Sequence, residues 1–362
     1  MRVIITCGGT GGHITPGLAI ADIIRANAPG ARILFVGAEG GMEQEMVTRA
    51  HYPIRSLRVR GLARKLSFEA VQALRMMKQA VKEAEGLLAD FAPDIVIGTG
   101  GYACYPTLRA AIKRGIPTAV HESNSVPGLA VRRLSGGVDR VWLNFESAKG
   151  GLSRGAKSLT VGNPLPASYV RPTPRSLPQG TRRMLLSFGG SLGASELNRT
   201  ALCLMERVKT RPEVFYLHAT GKRCFDEVHR SFCERGLERY PNLCLSPFVS
   251  DMPNQMSAAD LVICRAGAMS ISELASLGCP AILVPSPNVT GDHQMKNAQM
   301  MAQAGAALCL REEQLDALPD TALRLLEDRE RLRALSDAAR GFYRSDANAV
   351  IWRDICSLCQ KR

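Results

Sequence analysis

Aromatic residues make up only 5% of this 362-residue chain, two of them tryptophan. Single-stranded nucleic acid is bound by cations interleaved with stacking aromatics. No stretch carries that pattern, so nucleic acid is excluded as a partner despite a net charge of +13. No apolar run approaches the roughly 18 consecutive residues of a membrane span. Met1-Arg2 leads straight into a strand, without the apolar segment of a signal peptide, so a cytosolic location is expected. The eleven cysteines are odd in number and irregularly spaced, which argues against a disulfide framework. Cys7, Cys203, Cys264 and Cys309 sit in apolar contexts where a reduced thiol packs as a small hydrophobe. Cys356-Ser-Leu-Cys359 has no second pair and reads as a helix end. No DxD-type carboxylate pair lies near the glycine turns described below, and neither a metal nor another cofactor is expected.

What is present fits a soluble chain with two full cores: hydrophobic residues at 46%, charged residues at 22%. The basic excess is uneven. Up to residue 165, 21 Lys/Arg face 12 Asp/Glu. Residues 55–82 hold Arg55, Arg58, Arg60, Arg64, Lys65, Arg75, Lys78 and Lys82 against the single acid Glu69. Such a patch attracts polyanions, among them anionic lipid and pyrophosphate substrates.

Short apolar runs alternate with segments of helical period, the pattern of parallel βαβ units. In the first half strands are expected at 2–7, 32–37, 54–59, 94–98, 117–121, 139–143 and 158–161, with helices at 17–27, 41–50, 67–89, 102–114 and 125–134. In the second half strands are expected at 183–188, 213–218, 242–246, 260–264, 280–284 and 306–309. The helices there are 193–208, 222–235, 251–257, 268–277, 291–304 and 319–340. Between the halves stand Pro164, Pro166, Pro172, Pro174 and Pro178, which can continue neither a helix nor a central strand. The expected organisation is a domain over 1–163, a linker over 164–180, a second domain over 181–345, and a helix over 346–362 that packs back on the first. The fold class is α/β: two Rossmann-like, doubly wound domains facing across a cleft.

Each half opens with a strand running into a glycine turn: GGTGGH at 8–13 and GGSLGA at 189–194. Glycine lets backbone approach an anion, and the following helix offers free N–H groups; the same turn could serve only to pack helix on sheet. Pro16 suits a first helical turn. GGTGGH is not GxGxxG, so a dehydrogenase fits poorly. His13, directly after the glycines, could take a proton from a hydroxyl or simply cap and hydrogen-bond. Residues 264–273, CRAGAMSISE, repeat the strand–turn–helix theme, and Glu273 could grip a ribose diol or merely complement the helix dipole. Asp292-His293-Gln294 opens the next helix with groups suited to sugar hydroxyls.

GGTGGHITPGLAIA, GTGGYACYP (98–106), HESNSVPGL (121–129), VGNP (161–164), GGSLGA, CRAGAMSISE and DHQMKNA follow one another in that order. Over nearly the whole chain this series resembles the MurG family of bacterial transferases, which add N-acetylglucosamine (GlcNAc) to lipid I to make lipid II. The resemblance implies a GT-B glycosyltransferase fold, with UDP-GlcNAc held mainly by the C-terminal domain. By matching motif it places Thr10, Gly11 and Gly12 at the donor sugar and diphosphate, Asn124 at the GlcNAc moiety and Ser191 at the diphosphate. Val249 in PFVSDM would offer backbone contacts to uracil. Ala268, Met269, Ser270, Ile271, Ser272 and Glu273 would form the diphosphate and ribose loop, and Gln294 would contact GlcNAc hydroxyls. One departure stands out: relatives commonly read GNPVR where this chain has Pro166, and Arg171 is the nearest cation that could substitute.

The implied reaction is an inverting displacement by the MurNAc 4-hydroxyl of lipid I (undecaprenyl-pyrophosphoryl-MurNAc-pentapeptide), with His13 as general base and Glu122 as the alternative. An apolar strip of Leu66, Phe68, Val71, Leu74, Met76 and Met77, bordered by Arg64, Lys65, Arg75 and Lys78, is expected to rest on an anionic membrane surface. The resemblance implies a peripheral protein at the cytoplasmic face of the inner membrane, with cell-wall synthesis and division proteins as possible partners. A UDP-sugar 2-epimerase or a diacylglycerol glucosyltransferase would share the fold, but HESN and GTGGYACYP argue against both. A non-catalytic sensor would lack His13.

Overall fold

The computed structural model describes residues 1–59, 68–170, 172–173, 176–190, 193–287 and 292–360, without the side chains of residues 68–74. It forms two compact units, Met1–Pro166 with Arg344–Arg362, and Ala167–Tyr343.

The first unit runs β1 (Arg2–Thr6), α1 (Gly11–Asn27), β2 (Arg32–Ala38), α2 (Glu43–Arg49), β3 (Ile54–Leu57), α3 (Phe68–Phe91), β4 (Ile95–Gly98) and α4 (Cys104–Lys113), then β5 (Thr118–Glu122), α5 (Leu129–Leu134), β6 (Arg140–Leu143) and β7 (Ser158–Thr160). Its seven strands are parallel in the order β3-β2-β1-β4-β5-β6-β7. The order reverses between β1 and β4, the switch point at whose carboxyl edge ligands bind in such sheets. Strand alternation splits the core. Val3 and Ile5 join one cluster and Ile4 the other.

The second unit runs α6 (Ala167–Val170), β8 (Arg183–Phe188), α7 (Ser195–Val208), β9 (Val214–Ala219), α8 (Phe225–Glu234), β10 (Leu243–Ser246) and α9 (Met252–Ala258). It continues with β11 (Leu261–Cys264), α10 (Ala268–Leu277), β12 (Ala281–Leu283), α11 (His293–Gln303), β13 (Leu308–Cys309), α12 (Leu318–Glu327) and α13 (Arg329–Arg340). The parallel order β10-β9-β8-β11-β12-β13 puts its switch point between β8 and β11. The chain then returns to the first unit as α14 (Ala347–Gln360). Ile351, Ile355 and Leu358, at helical spacing, enter the Val3/Ile5 cluster. Asp354 accepts hydrogen bonds from the indole of the buried Trp142 (2.7 Å) and from Arg140 Nε (2.9 Å).

Two helix expectations need correction. α1 starts at Gly11, not near residue 17, because the first-turn N–H groups have no intrahelical partners and two poor helix formers cost little there. Pro16 is therefore inside the helix. The single helix expected at 319–340 is broken at Asp328, whose carboxylate accepts from Arg331 N (2.9 Å) and caps α13.

Candidate active site

In the first unit, β1 delivers its glycine turn to the switch point. Thr10 is the extended N-cap of α1, which puts Gly11 and Gly12 in the helix's first turn. His13, partly exposed, has Nδ1 3.2 Å from both Gly8 O and Thr10 Oγ1. A carbonyl only accepts, so Nδ1 carries the proton and Nε2 is the basic nitrogen of the neutral ring. From the neighbouring β4, Thr99 Oγ1 donates to His13 O (2.7 Å), and Gly100 (φ +102°) lies under the imidazole. A Cβ there would sit 2.5 Å from His13 Cδ2, so the ring needs glycine beneath it. Glu43 carried no expectation, yet it holds the turn from behind. Fully buried, it accepts from Ala38 N (2.7 Å) and Gly9 N (3.3 Å), in space left by Gly8, Gly37 and Gly41.

The HESN loop follows β5. His121 is buried, with Nε2 donating to Gly162 O (3.1 Å), and burial pushes its pKa down to about 4. Glu122 is buried too. Its Oε1 accepts from Asn124 N (2.9 Å) and Asn124 Nδ2 (3.0 Å), its Oε2 from Gly128 N (2.7 Å). Burial raises its pKa, and these donors oppose the rise. Beyond the loop, Leu165 exchanges hydrogen bonds with the Asn348 side chain of α14. Pro166 closes this unit, and Arg171 lies outside the described residues.

In the second unit the glycine turn leaves β8 at the switch point. Ser191 lies outside the described residues. Across that point, β11 leads through Gly267, the extended N-cap, into α10. Residues 268–273 are thus the opening turns of the helix expected at 268–277. Ala268, Met269, Ile271 and Ser272 bury their side chains, and Ile271 N already donates to Gly267 O (2.9 Å), so any contact to a ligand falls to the backbone of the helix's first turn. Arg265 is held in an ion pair with Glu312 and by hydrogen bonds to Val284 O and Pro285 O (both 3.3 Å). Glu273 is half-buried, its pKa pushed up to about 7 by desolvation, against which a hydrogen bond from Tyr169 of α6 works. Val249 buries its side chain while its neighbour Phe248 stays 51% exposed. Gln294 on α11 accepts from Ser286 N (2.9 Å).

Of the expected membrane strip, Arg64, Lys65 and Leu66 lie outside the described residues, as do the side chains of Phe68, Val71 and Leu74. Met77 belongs to the core and not to an exposed strip, because α3 packs that side on its sheet. Arg75, Lys78 and Lys82 are exposed. No helix among the described residues is long and apolar enough to cross a membrane.

Two doubly wound parallel units, each with a glycine turn at its switch point, define the class of nucleotide-sugar enzymes built on paired Rossmann-like domains. Residues 3–143 match the glycosyltransferase family 28 N-terminal domain, and residues 184–350 match its C-terminal domain. The chain is 38% identical to the UDP-N-acetylglucosamine--N-acetylmuramyl-(pentapeptide) pyrophosphoryl-undecaprenol N-acetylglucosamine transferase of Acetivibrio thermocellus, over 100% of this chain and 99% of that one. It is 38% identical to the protein of the same name from Bacillus subtilis, over 97% and 98%. Among solved structures, Acinetobacter baumannii MurG superposes with a TM-score of 0.74 at 27% identity, covering 100% and 99% of the two chains. A putative UDP-N-acetylglucosamine 2-epimerase from Listeria monocytogenes reaches 0.73 at 16% identity (100% and 97%), so the fold alone does not choose between chemistries. Sequence does. The chain belongs to glycosyltransferase family 28.

Proposed function

We propose that the protein transfers GlcNAc from UDP-GlcNAc to the MurNAc 4-hydroxyl of lipid I, giving lipid II, with inversion at the anomeric carbon. The observation that carries this reading is the near-full-length match to relatives named for that transfer. In the reaction the acceptor oxygen bonds to the anomeric carbon, the bond from that carbon to the β-phosphate oxygen breaks, and UDP leaves with the negative charge. His13 Nε2 takes the hydroxyl proton, since Gly8 O occupies Nδ1. Glu122 anchors the loop, because both its oxygens already accept N–H donors. Thr10, Gly11, Gly12 and Asn124 meet the donor sugar. The openings of α7, with Ser191, and of α10 receive the diphosphate, as helix N-termini suit anions. Glu273 takes the ribose diol, Val249 the uracil through its backbone, and Gln294 GlcNAc hydroxyls.

The first unit carries the lipid-linked acceptor and rests peripherally on the cytoplasmic face of the plasma membrane, where its cations meet anionic lipid at about 1 kcal/mol each. Cell-wall synthesis and division proteins are the fitting partners there. Transfer of labelled GlcNAc from UDP-GlcNAc to a lipid I analogue, with UDP-GalNAc as control, tests the activity. At saturating donor, His13→Ala should lower turnover by about 10²-fold or more; a loss below about tenfold removes His13 as base. Unchanged liposome binding after charge reversal of Arg64, Lys65, Arg75 and Lys78 refutes the membrane contact.

A further inference from the structure

Beneath the glycine turn of the second unit runs an unbroken chain of buried polar groups. Tyr216 OH is 2.9 Å from Ser187 Oγ, and Ser187 Oγ is 2.6 Å from His218 Nδ1. His218 Nε2 is 3.0 Å from Asn198 Oδ1, and Asn198 Nδ2 donates to Thr220 O at 3.1 Å. All four side chains are at most 1% exposed.

Only one proton arrangement satisfies every group. Asn198 turns its NH₂ to a carbonyl, so its Oδ1 must accept, and His218 Nε2 must carry a hydrogen. Nδ1 is then bare and accepts the Ser187 hydroxyl proton, which leaves Ser187 Oγ to accept from Tyr216. Burial supports the neutral ring by pushing the His218 pKa down to about 4. A network with a single solution fixes its members' spacing in a way that apolar packing of the same volume does not.

Those members lie on β8, β9 and the second turn of α7, the elements around residues 189–194. The chain ends at the Thr220 carbonyl, against which the turn itself is seated. Gly193 (φ +84°) approaches so closely that a Cβ would stand 2.5 Å from Thr220 O. Asn198 also donates its backbone N–H to Ala194 O (2.8 Å), closing the first turn of α7. One residue therefore ties both the helix opening and, through Thr220, the glycine turn to the histidine.

We propose that His218, at the centre of this relay, is a positioning residue for the donor's diphosphate. It sets the position of Gly193 and of the α7 N-terminus, whose N–H groups meet the phosphates. The inference rests on the reading above that this turn receives the diphosphate.

The test compares UDP with uridine as competitors of donor binding to the full-length protein. In His218→Gln, UDP affinity should fall about tenfold, as for loss of one to two buried hydrogen bonds. Uridine affinity should stay within about twofold. Equal losses for UDP and uridine, or no loss for either, overturn the proposal. Wild-type protein that binds UDP no tighter than uridine overturns the diphosphate reading beneath it. Should His218→Gln fail to fold, Tyr216→Phe removes only the terminal hydroxyl and should still weaken UDP about threefold while sparing uridine; an unchanged UDP-to-uridine ratio overturns the proposal.

Discussion

Replacing Glu273 by Gln should make the protein more stable and a poorer nucleotide binder at the same time. The carboxyl is half-buried at the second turn of α10, and desolvation lifts its pKa from 4.5 to about 7. Between those values the unfolded chain has released the proton while the folded chain keeps it. Stability therefore falls as pH rises through that window, by about 1.36 kcal/mol per pH unit where the folded state holds one proton more. The gap amounts to at most about 3 kcal/mol, fully developed above pH 7 and absent below pH 4.5. Gln removes the charge yet still accepts the Tyr169 hydrogen bond. For a unit of this size each kcal/mol shifts Tm by roughly 2–4 °C. Thermal unfolding of both proteins from pH 4.5 to 8.5 should show curves that coincide at the acid end and diverge upward for Glu273→Gln. UDP affinity should move the other way. A Tm difference independent of pH would refute the buried-charge argument, and undiminished UDP binding would refute the ribose contact.

Three further outcomes follow from the geometry. Glu122→Gln sets an NH₂ against the N–H groups of Asn124 or Gly128, and should cost about 1–3 kcal/mol in a denaturant midpoint while the pH–rate profile keeps its shape; loss of the alkaline plateau without loss of stability would make Glu122 the base. Buried neutral His121 and His218, both near pKa 4, should each withdraw up to about 3 kcal/mol as pH drops from 6.5 to 4, because the unfolded chain binds the protons first; urea midpoints that stay flat over that range would contradict their burial. Truncation before Ala347 uncovers the pockets of Ile351, Ile355 and Leu358 at about 1.5–3 kcal/mol each, so limited proteolysis should cut the first unit well before the second.

The sheets were legible because buried parallel strands read as short apolar runs, and every expected strand is present within a few residues. Helix ends were less so. The opening of α1 looked like loop because glycine is a poor helix former, a penalty that scarcely applies in a first turn. The break at Asp328 turns on a capping geometry that helical periodicity spans without a gap. At the site, residues beside the glycines were visible as motif, whereas those that hold them were not. Glu43 works through partners on another strand end and turn, and His218 through Ser187, 31 residues away. Neither has a local pattern. The HESN motif did stand out, but its sequence does not show that Glu122 spends both oxygens on its own loop. The separation of anchor from reagent lies in hydrogen-bond directions.

The return of α14 also sets an order of assembly. During synthesis the second unit is one continuous stretch, and it can close as soon as Tyr343 is available. The first unit, begun earlier, cannot: its Val3/Ile5 core and the Trp142 indole wait for Ile351, Asp354, Ile355 and Leu358, which are made after the whole second unit. Domains otherwise fold in the order they are made. Here the unit begun first is finished last, and a nascent chain stalled before residue 347 would show chaperones a greasy strip along the first unit's sheet.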